Sequence, residues 1–177
     1  IRKDLDIQDE YALITLHRPS NVDNKNNLIE LINSIKTTSK IIPFIFPIHP
    51  RTKNKLKSAK LYDTLNKNKR IKLIDPIGYI DFMCLQMNAR VVLTDSGGIQ
   101  EETTFFGIPC ITVRNNTERP ITISNGTNKL IGTEYYKIPE IVEASINVKR
   151  QEKFSIPSLW DGKSADRISK ILDFTYF

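Results

Sequence analysis

The strongest constraint on this chain is a series of apolar runs in which hydrophobic residues do not alternate with polar ones. They fall at residues 11–17, 41–49, 71–77, 91–95 and 110–113. A strand with one face in water alternates; a strand covered by helices on both faces need not. Helix-like stretches separate the runs, at about 26–40, 52–66, 79–88 and 98–106. Leu28, Leu31, Ile32 and Ile35 have the spacing of one buried helical face. A further helix is expected over 138–146, and Ile168, Ile171 and Leu172 belong to a closing amphipathic one. Strand–helix alternation of this kind predicts a doubly wound α/β fold. Residues 147–160 are the least regular and are expected to wrap the surface. No repeat, low-complexity segment or internal linker interrupts the chain, so residues 1–177 are read as one domain.

Composition narrows the function more by exclusion than by indication. No apolar run approaches the length of a membrane span. The opening "IRKDLDIQDEYALITLH" has neither the shape of a signal peptide nor an initiator Met, and is expected to belong to a longer protein. Cys84 and Cys110 lie far apart in apolar surroundings, which reads as reduced, buried thiols in a cytoplasmic protein. The net charge of +6 permits an anionic partner. Much of the excess is Lys in "KNKLKSAK" and "NKNKR", which reads more simply as solvated helix surface. A basic module binding nucleic acid is a further class, but no aromatic–basic interleaving of an RNA-recognition type is present. No His or Cys has metal-ligand spacing, and no metal or redox cofactor is expected.

In an open α/β sheet, ligands bind beyond the carboxyl ends of the strands. Both histidines of the chain occupy such ends: His17 closes "ALITLH", and His49 closes "FIFPIH". Asp95 and Ser96 close a third run, "VVLTDS", and Arg114 follows a fourth. Each His stands beside an Arg and a Pro, which points to a shared cleft.

The stretch "LTDSGGIQEETTFFG" combines two features that look opposed. There is no G-x-G-x-x-G and no P-loop. Gly97 and Gly98 nonetheless open a helix, where free N–H groups and the helix dipole suit a diphosphate. Ser96 could cap that helix or donate its hydroxyl to a phosphate oxygen; a plain tight turn with a Ser cap is the alternative. Glu102 stands too far along the helix to meet the phosphates, but a carboxylate there could accept hydrogen bonds from a ribose diol. A ligand with phosphates at one end and hydroxyls nearby meets both conditions, as nucleotide sugars do.

The ordered segments "TLHRPSNVDN", "HPRT", "DPIGYIDF", "TDSGGIQEE", "GIP" and "RNNTERP", with the closing "WDGKSADRI", resemble the non-hydrolysing UDP-N-acetylglucosamine 2-epimerases. The similarity runs from about Tyr11 to Ile168. It implies a Rossmann-like, mostly parallel sheet, the C-terminal domain of a two-domain fold of the glycosyltransferase-B type. It also implies interconversion of UDP-GlcNAc and UDP-ManNAc, by elimination of UDP to a 2-acetamidoglucal and its re-addition with the opposite configuration at C2. The N-terminal half of the family's chain, with its catalytic carboxylates, has no counterpart here, so this chain alone is expected to be inactive. That half and, for the whole protein, a second copy in a homodimer are the partners the resemblance implies, in cell-envelope polysaccharide synthesis.

Position by position, the resemblance makes His17 the catalytic residue at the phosphates. Ser96, Gly97 and Gly98 match the diphosphate-binding run, and Glu102 the ribose carboxylate. Phe82, with the backbone at Ile77, matches the uracil pocket; read without the resemblance, Phe82 is equally a core residue of a short helix. Arg119 in "TERP" matches a nucleotide-binding arginine, where the residues alone suggest a surface charge. Arg18 and His49 match contacts to a second, regulatory UDP-GlcNAc in some bacterial members. Ile121 departs from the Glu that usually follows TERP. Epimerases of other UDP-2-acetamido sugars, and the nucleotide-sugar half of a retaining glycosyltransferase, are the alternative readings.

Overall fold

A computed structural model of the chain describes residues 1–147 and 156–176. Its six strands are β1 (Ala12–Thr15), β2 (Phe44–Pro47), β3 (Ile71–Ile74), β4 (Val91–Thr94), β5 (Cys110–Thr112) and β6 (Asn128–Leu130). They form one sheet of order β3-β2-β1-β4-β5-β6. Every neighbouring pair is parallel, with Ala12 opposite Phe44 on one side and Val91 on the other.

Successive strand residues point to opposite faces, and over the inner strands both faces are buried. Ala12, Ile14, Phe44, Phe46, Val91 and Leu93 enter one core cluster. There they meet Leu28, Leu31, Ile32 and Ile35 of α2 (Lys25–Thr38). Leu13, Ile45 and Val92 turn the other way, toward Leu85 of α5 (Tyr79–Asn88). This is why the runs of β1, β2, β4 and β5 lack alternation: each is covered twice, whereas Lys72 of β3 and Lys129 of β6, at the two edges, are exposed.

The structure corrects the expected elements in three places. The helix expected over 52–66 is two helices, α3 (Pro50–Ser58) and α4 (Tyr62–Asn66). Lys60 between them adopts φ +57°. Its N–H bonds to Lys57 O at 3.0 Å, and the Leu61 N–H to Leu56 O at 2.9 Å, the pairing that ends a helix in a left-handed residue. The strand β6 was not anticipated, because "NKL" carries no apolar pattern. Two short helices, α1 (Pro19–Val22) and α7 (Ile121–Ser124), were also not foreseen. Residues 148–155, most of the stretch expected to be irregular, lie outside the described residues.

The closing helices are α8 (Ile138–Asn147), which packs on α2, and α9 (Ser164–Tyr176). Ile168, Ile171 and Leu172 of α9 are at least half exposed. Among the described residues, no helix is long and apolar enough to cross a membrane.

The strand order reverses between β1 and β4. From β1 the chain steps outward through β2 to β3, then returns through α5 to β4 on the other side. The loops leaving the two strands diverge there and open a crevice at their carboxyl ends.

Candidate functional site

Asp95 leaves β4 at the reversal point and is fully buried. Its carboxylate accepts from the backbone N–H groups of His17 (3.1 Å) and Arg18 (2.8 Å) and from Asn21 Nδ2 (3.0 Å). Burial opposes its ionisation, but hydrogen bonds from His17, Asn21 and the Arg18 backbone outweigh it and hold the pKa below the ordinary value. His17 Nδ1 lies 3.1 Å from Asp95 Oδ1. That contact fixes the proton on Nδ1 and leaves Nε2 for a ligand.

Asn21 completes the clamp by also donating to Val113 O at 3.0 Å and accepting from Tyr135 Oη at 3.2 Å. In the sequence Asp95 is noted only as one of the residues closing a strand, without a role, and Asn21 is not noted. The available signal was an acid closing an apolar strand, which a fold tolerates only when its hydrogen bonds are met.

The second histidine joins the first. His49 precedes α3, and its Nδ1 accepts from the Arg51 N–H at 3.1 Å, capping the helix. Its ring centroid is 5.6 Å from that of His17, tilted by 37°. Arg18, beside His17, is near enough to Glu118 to favour the charged form of that carboxylate. The two strand ends thus form one side of the crevice.

The other side is α6 (Gly97–Phe106). Ser96 caps it without a side-chain hydrogen bond to the helix, so its hydroxyl is not consumed by capping. Neither Gly97 nor Gly98 has a positive φ. A Cβ at Gly97 would meet only Glu118 Oε2, at 3.8 Å, and one at Gly98 would meet nothing within 4 Å. Neither conformation nor packing within the chain calls for glycine here. What the pair supplies is open access to the first N–H groups of a helix.

Two residues that sequence reasoning left without a role stand at this edge. Arg114, only 8% exposed, grips Glu118 through both guanidinium nitrogens at 2.8 and 2.7 Å. The Arg114 guanidinium holds the Glu118 carboxyl down at about 2. Recognition of the fork required the loop's fold, since an i, i+4 pair outside a helix has no fixed geometry.

Glu102 is five residues beyond Gly97, about 7.5 Å along the helix axis. Oε1 accepts from Tyr79 Oη at 3.4 Å, and Oε2 is buried without a hydrogen-bond partner. Burial raises the Glu102 pKa, more than the neighbouring Gln86 amide and Tyr79 hydroxyl lower it. A groove of about 380 Å³ runs alongside, lined by Tyr79, Met83, Glu101, Phe105 and Trp160 among others. Arg119 faces the same helix from the TERP loop, with Nε 2.8 Å from Glu101 Oε1. Ile77 and Phe82 are half-buried and pack against the Leu13 and Leu85 cluster, so Phe82 does have the core contacts that its position on a helix suggests. The site therefore offers an imidazole held by Asp95, an open helix start two residues beyond that aspartate, and a desolvated carboxylate five residues further along the same helix.

Comparison with known proteins adds an independent line. Residues 1–173 match the family described as UDP-N-acetylglucosamine 2-epimerase. The UDP-N-acetylglucosamine 2-epimerase of Methanocaldococcus jannaschii is 46% identical over 170 residues, 95% of this chain and 46% of that relative. The structure of the enzyme from the same organism, in complex with UDP-GlcNAc and UDP, superposes with a TM-score of 0.84 at 45% identity. That match covers 96% of this chain and 47% of the other. The UDP-2,3-diacetamido-2,3-dideoxy-D-glucuronate 2-epimerase of Pseudomonas aeruginosa is 33% identical, over 93% of this chain and 45% of that relative. The chain spans about half the length of the relatives it matches.

Proposed function

Because this chain belongs to the UDP-N-acetylglucosamine 2-epimerase family, we propose that it is the UDP-sugar-binding part of an enzyme interconverting UDP-GlcNAc and UDP-ManNAc. The observation that carries this reading is the contact of His17 with Asp95 at 3.1 Å, two residues ahead of the open start of α6, where the strand order reverses. The first turn of α6 and the Ser96 hydroxyl hold the diphosphate. Glu102 accepts from the ribose diol, Arg119 contacts the nucleotide, and Phe82 with the Ile77 backbone bounds the uracil.

The reaction breaks the bond from C1 to the diphosphate oxygen while a base takes the proton from C2; the diphosphate oxygen then re-forms its bond to C1 as a proton is delivered to the opposite face of C2. With Nδ1–H held by Asp95, His17 acts as the imidazolium, whose Nε2–H donates to the charge that develops on the departing diphosphate or passes it that proton. The carboxylates that move the C2 proton are assigned to an N-terminal half that joins this one across the crevice. A homodimer, a cytoplasmic location and a role in cell-envelope polysaccharide synthesis belong to the same proposal. Two free cysteines suit a reducing compartment. Arg18 and His49 would contact a second, regulatory UDP-GlcNAc, as the resemblance implies.

A second reading, an epimerase of another UDP-2-acetamido sugar, draws support from the similarity to the diacetamido-glucuronate enzyme. Ile121, exposed on α7 where the family's usual sequence has Glu, is the kind of local change that would accompany it. Titration of the chain with UDP, UMP and pyrophosphate tests the shared part: saturable binding strongest for UDP is expected, and none would overturn it. The chain alone should not turn over UDP-GlcNAc. Combined with an N-terminal half, it should yield UDP-ManNAc without any acceptor; a strict acceptor requirement would instead mark a glycosyltransferase.

A further inference from the structure

Gln100 lies one turn into α6 and is fully buried. A buried amide is costly unless its donors and acceptors are matched, and here they are matched across three chain segments. Its Nε2 donates to Ser96 O at 3.2 Å, the carbonyl at the lip of the helix start. Its Oε1 accepts from Thr117 Oγ1 at 2.5 Å and from Asn128 Nδ2 at 3.1 Å.

Those two partners lead directly to Arg119. The Thr117 hydroxyl accepts the Arg119 N–H at 3.0 Å. Asn128 Nδ2 donates to Thr122 Oγ1 at 3.1 Å, and that hydroxyl donates to Arg119 O at 2.7 Å. Both backbone groups of Arg119 are thus held by hydroxyls that the Gln100–Asn128 pair holds in turn. Thr112 Oγ1 anchors Asn128 to the sheet at 2.6 Å. A solvent-exposed loop could not fix an arginine this way by its own contacts.

We propose that Gln100 is a positioning residue that sets Arg119 in register with the helix start that receives the diphosphate. The inference rests on the nucleotide reading above. One side chain ties the Ser96 carbonyl to the loop bearing Arg119, so the two contact groups move as one body. A ligand spanning both then finds them already spaced, which lowers the ordering cost of binding.

The test is a double-mutant cycle on UDP affinity. In the unaltered chain, Arg119→Ala should weaken UDP binding by about tenfold, as loss of a charged contact does. In a Gln100→Met background the same change should cost less than about twofold, because Arg119 is no longer held in place. A Gln100 that served only packing would leave the Arg119→Ala cost unchanged, and that additivity would overturn the proposal. Should Gln100→Met not fold, Thr117→Val removes the hydroxyl between Gln100 and the Arg119 N–H at a partly exposed position, and must show the same collapse of the Arg119→Ala effect. Absence of UDP binding by the unaltered chain would overturn the nucleotide reading itself, and this inference with it; binding with additive losses would overturn the positioning role alone.

Discussion

Asp95 and His17, 78 residues apart in sequence, meet at 3.1 Å across the point where the strand order reverses. The carboxylate accepts the backbone N–H groups of His17 and Arg18 as well as the ring proton. A single buried charge thus fixes both the path of the loop and the tautomer of the imidazole at its head. The histidine serves the crevice only because the aspartate is beneath it.

Asp95→Asn should therefore lose stability and site geometry together. An amide puts a donor where backbone N–H groups point, and removal of a buried, fully bonded carboxylate costs about 2–4 kcal/mol. The pH dependence follows from the direction of the shift. The folded pKa lies below the unfolded value of 3.8, so the unfolded chain binds more protons in that window. The contribution of Asp95 is complete above pH 3.8 and is lost as pH falls through the folded pKa. Acid unfolding monitored by circular dichroism should show this limb in the unaltered chain and not in the variant.

Glu102→Gln should act in the opposite sense on stability. Burial raises the Glu102 pKa above its ordinary 4.5, so the folded state binds more protons than the unfolded chain just above that value. Stability then declines as pH rises through the window, and at neutral pH the ionised carboxylate is a small burden on the fold. The variant should melt no lower than the unaltered chain at pH 7. Its UDP affinity should nonetheless drop by about tenfold or more, with pyrophosphate binding nearly unchanged, since two hydrogen bonds to a charged acceptor are weakened. Equal losses for both ligands would remove Glu102 from the ribose.

Gly98 and Gly126 separate a glycine kept for a ligand from one required by packing. A Cβ at Gly98 meets open space, whereas one at Gly126 falls 2.4 Å from Thr122 O and 2.5 Å from Thr104 Oγ1. Gly98→Ala should stabilise α6 by about 0.5–1 kcal/mol while weakening UDP binding. Gly126→Ala should lower the melting temperature outright. Thermal melts paired with UDP titrations distinguish the two cases.

Lys60→Gly offers a test of the local fold away from the crevice. Lys60 holds φ +57° at the end of α3, where a side chain costs about 1 kcal/mol relative to glycine. The variant should gain roughly that much in a urea unfolding series and leave UDP affinity unchanged.

The sequence by itself determined the α/β class, the five main strands and the residues gathered at their carboxyl ends. It could do so because burial on both faces of a sheet writes a local pattern of unbroken apolar runs, and because strand ends are where parallel folds expose their loops. Only tertiary structure decided the rest. β6 is polar in sequence, and Asn128 is buried there because Gln100, Thr112 and Thr122 meet its hydrogen bonds from elsewhere. The break at Lys60 depends on the chain's need to turn Leu61 back toward the core. The clamp of Asp95 on His17 and Arg18, and the grip of Arg114 on Glu118, are geometric facts about loops. Hydrophobic pattern is carried by each segment alone, whereas a matched buried charge exists only once the distant segments that satisfy it have come together.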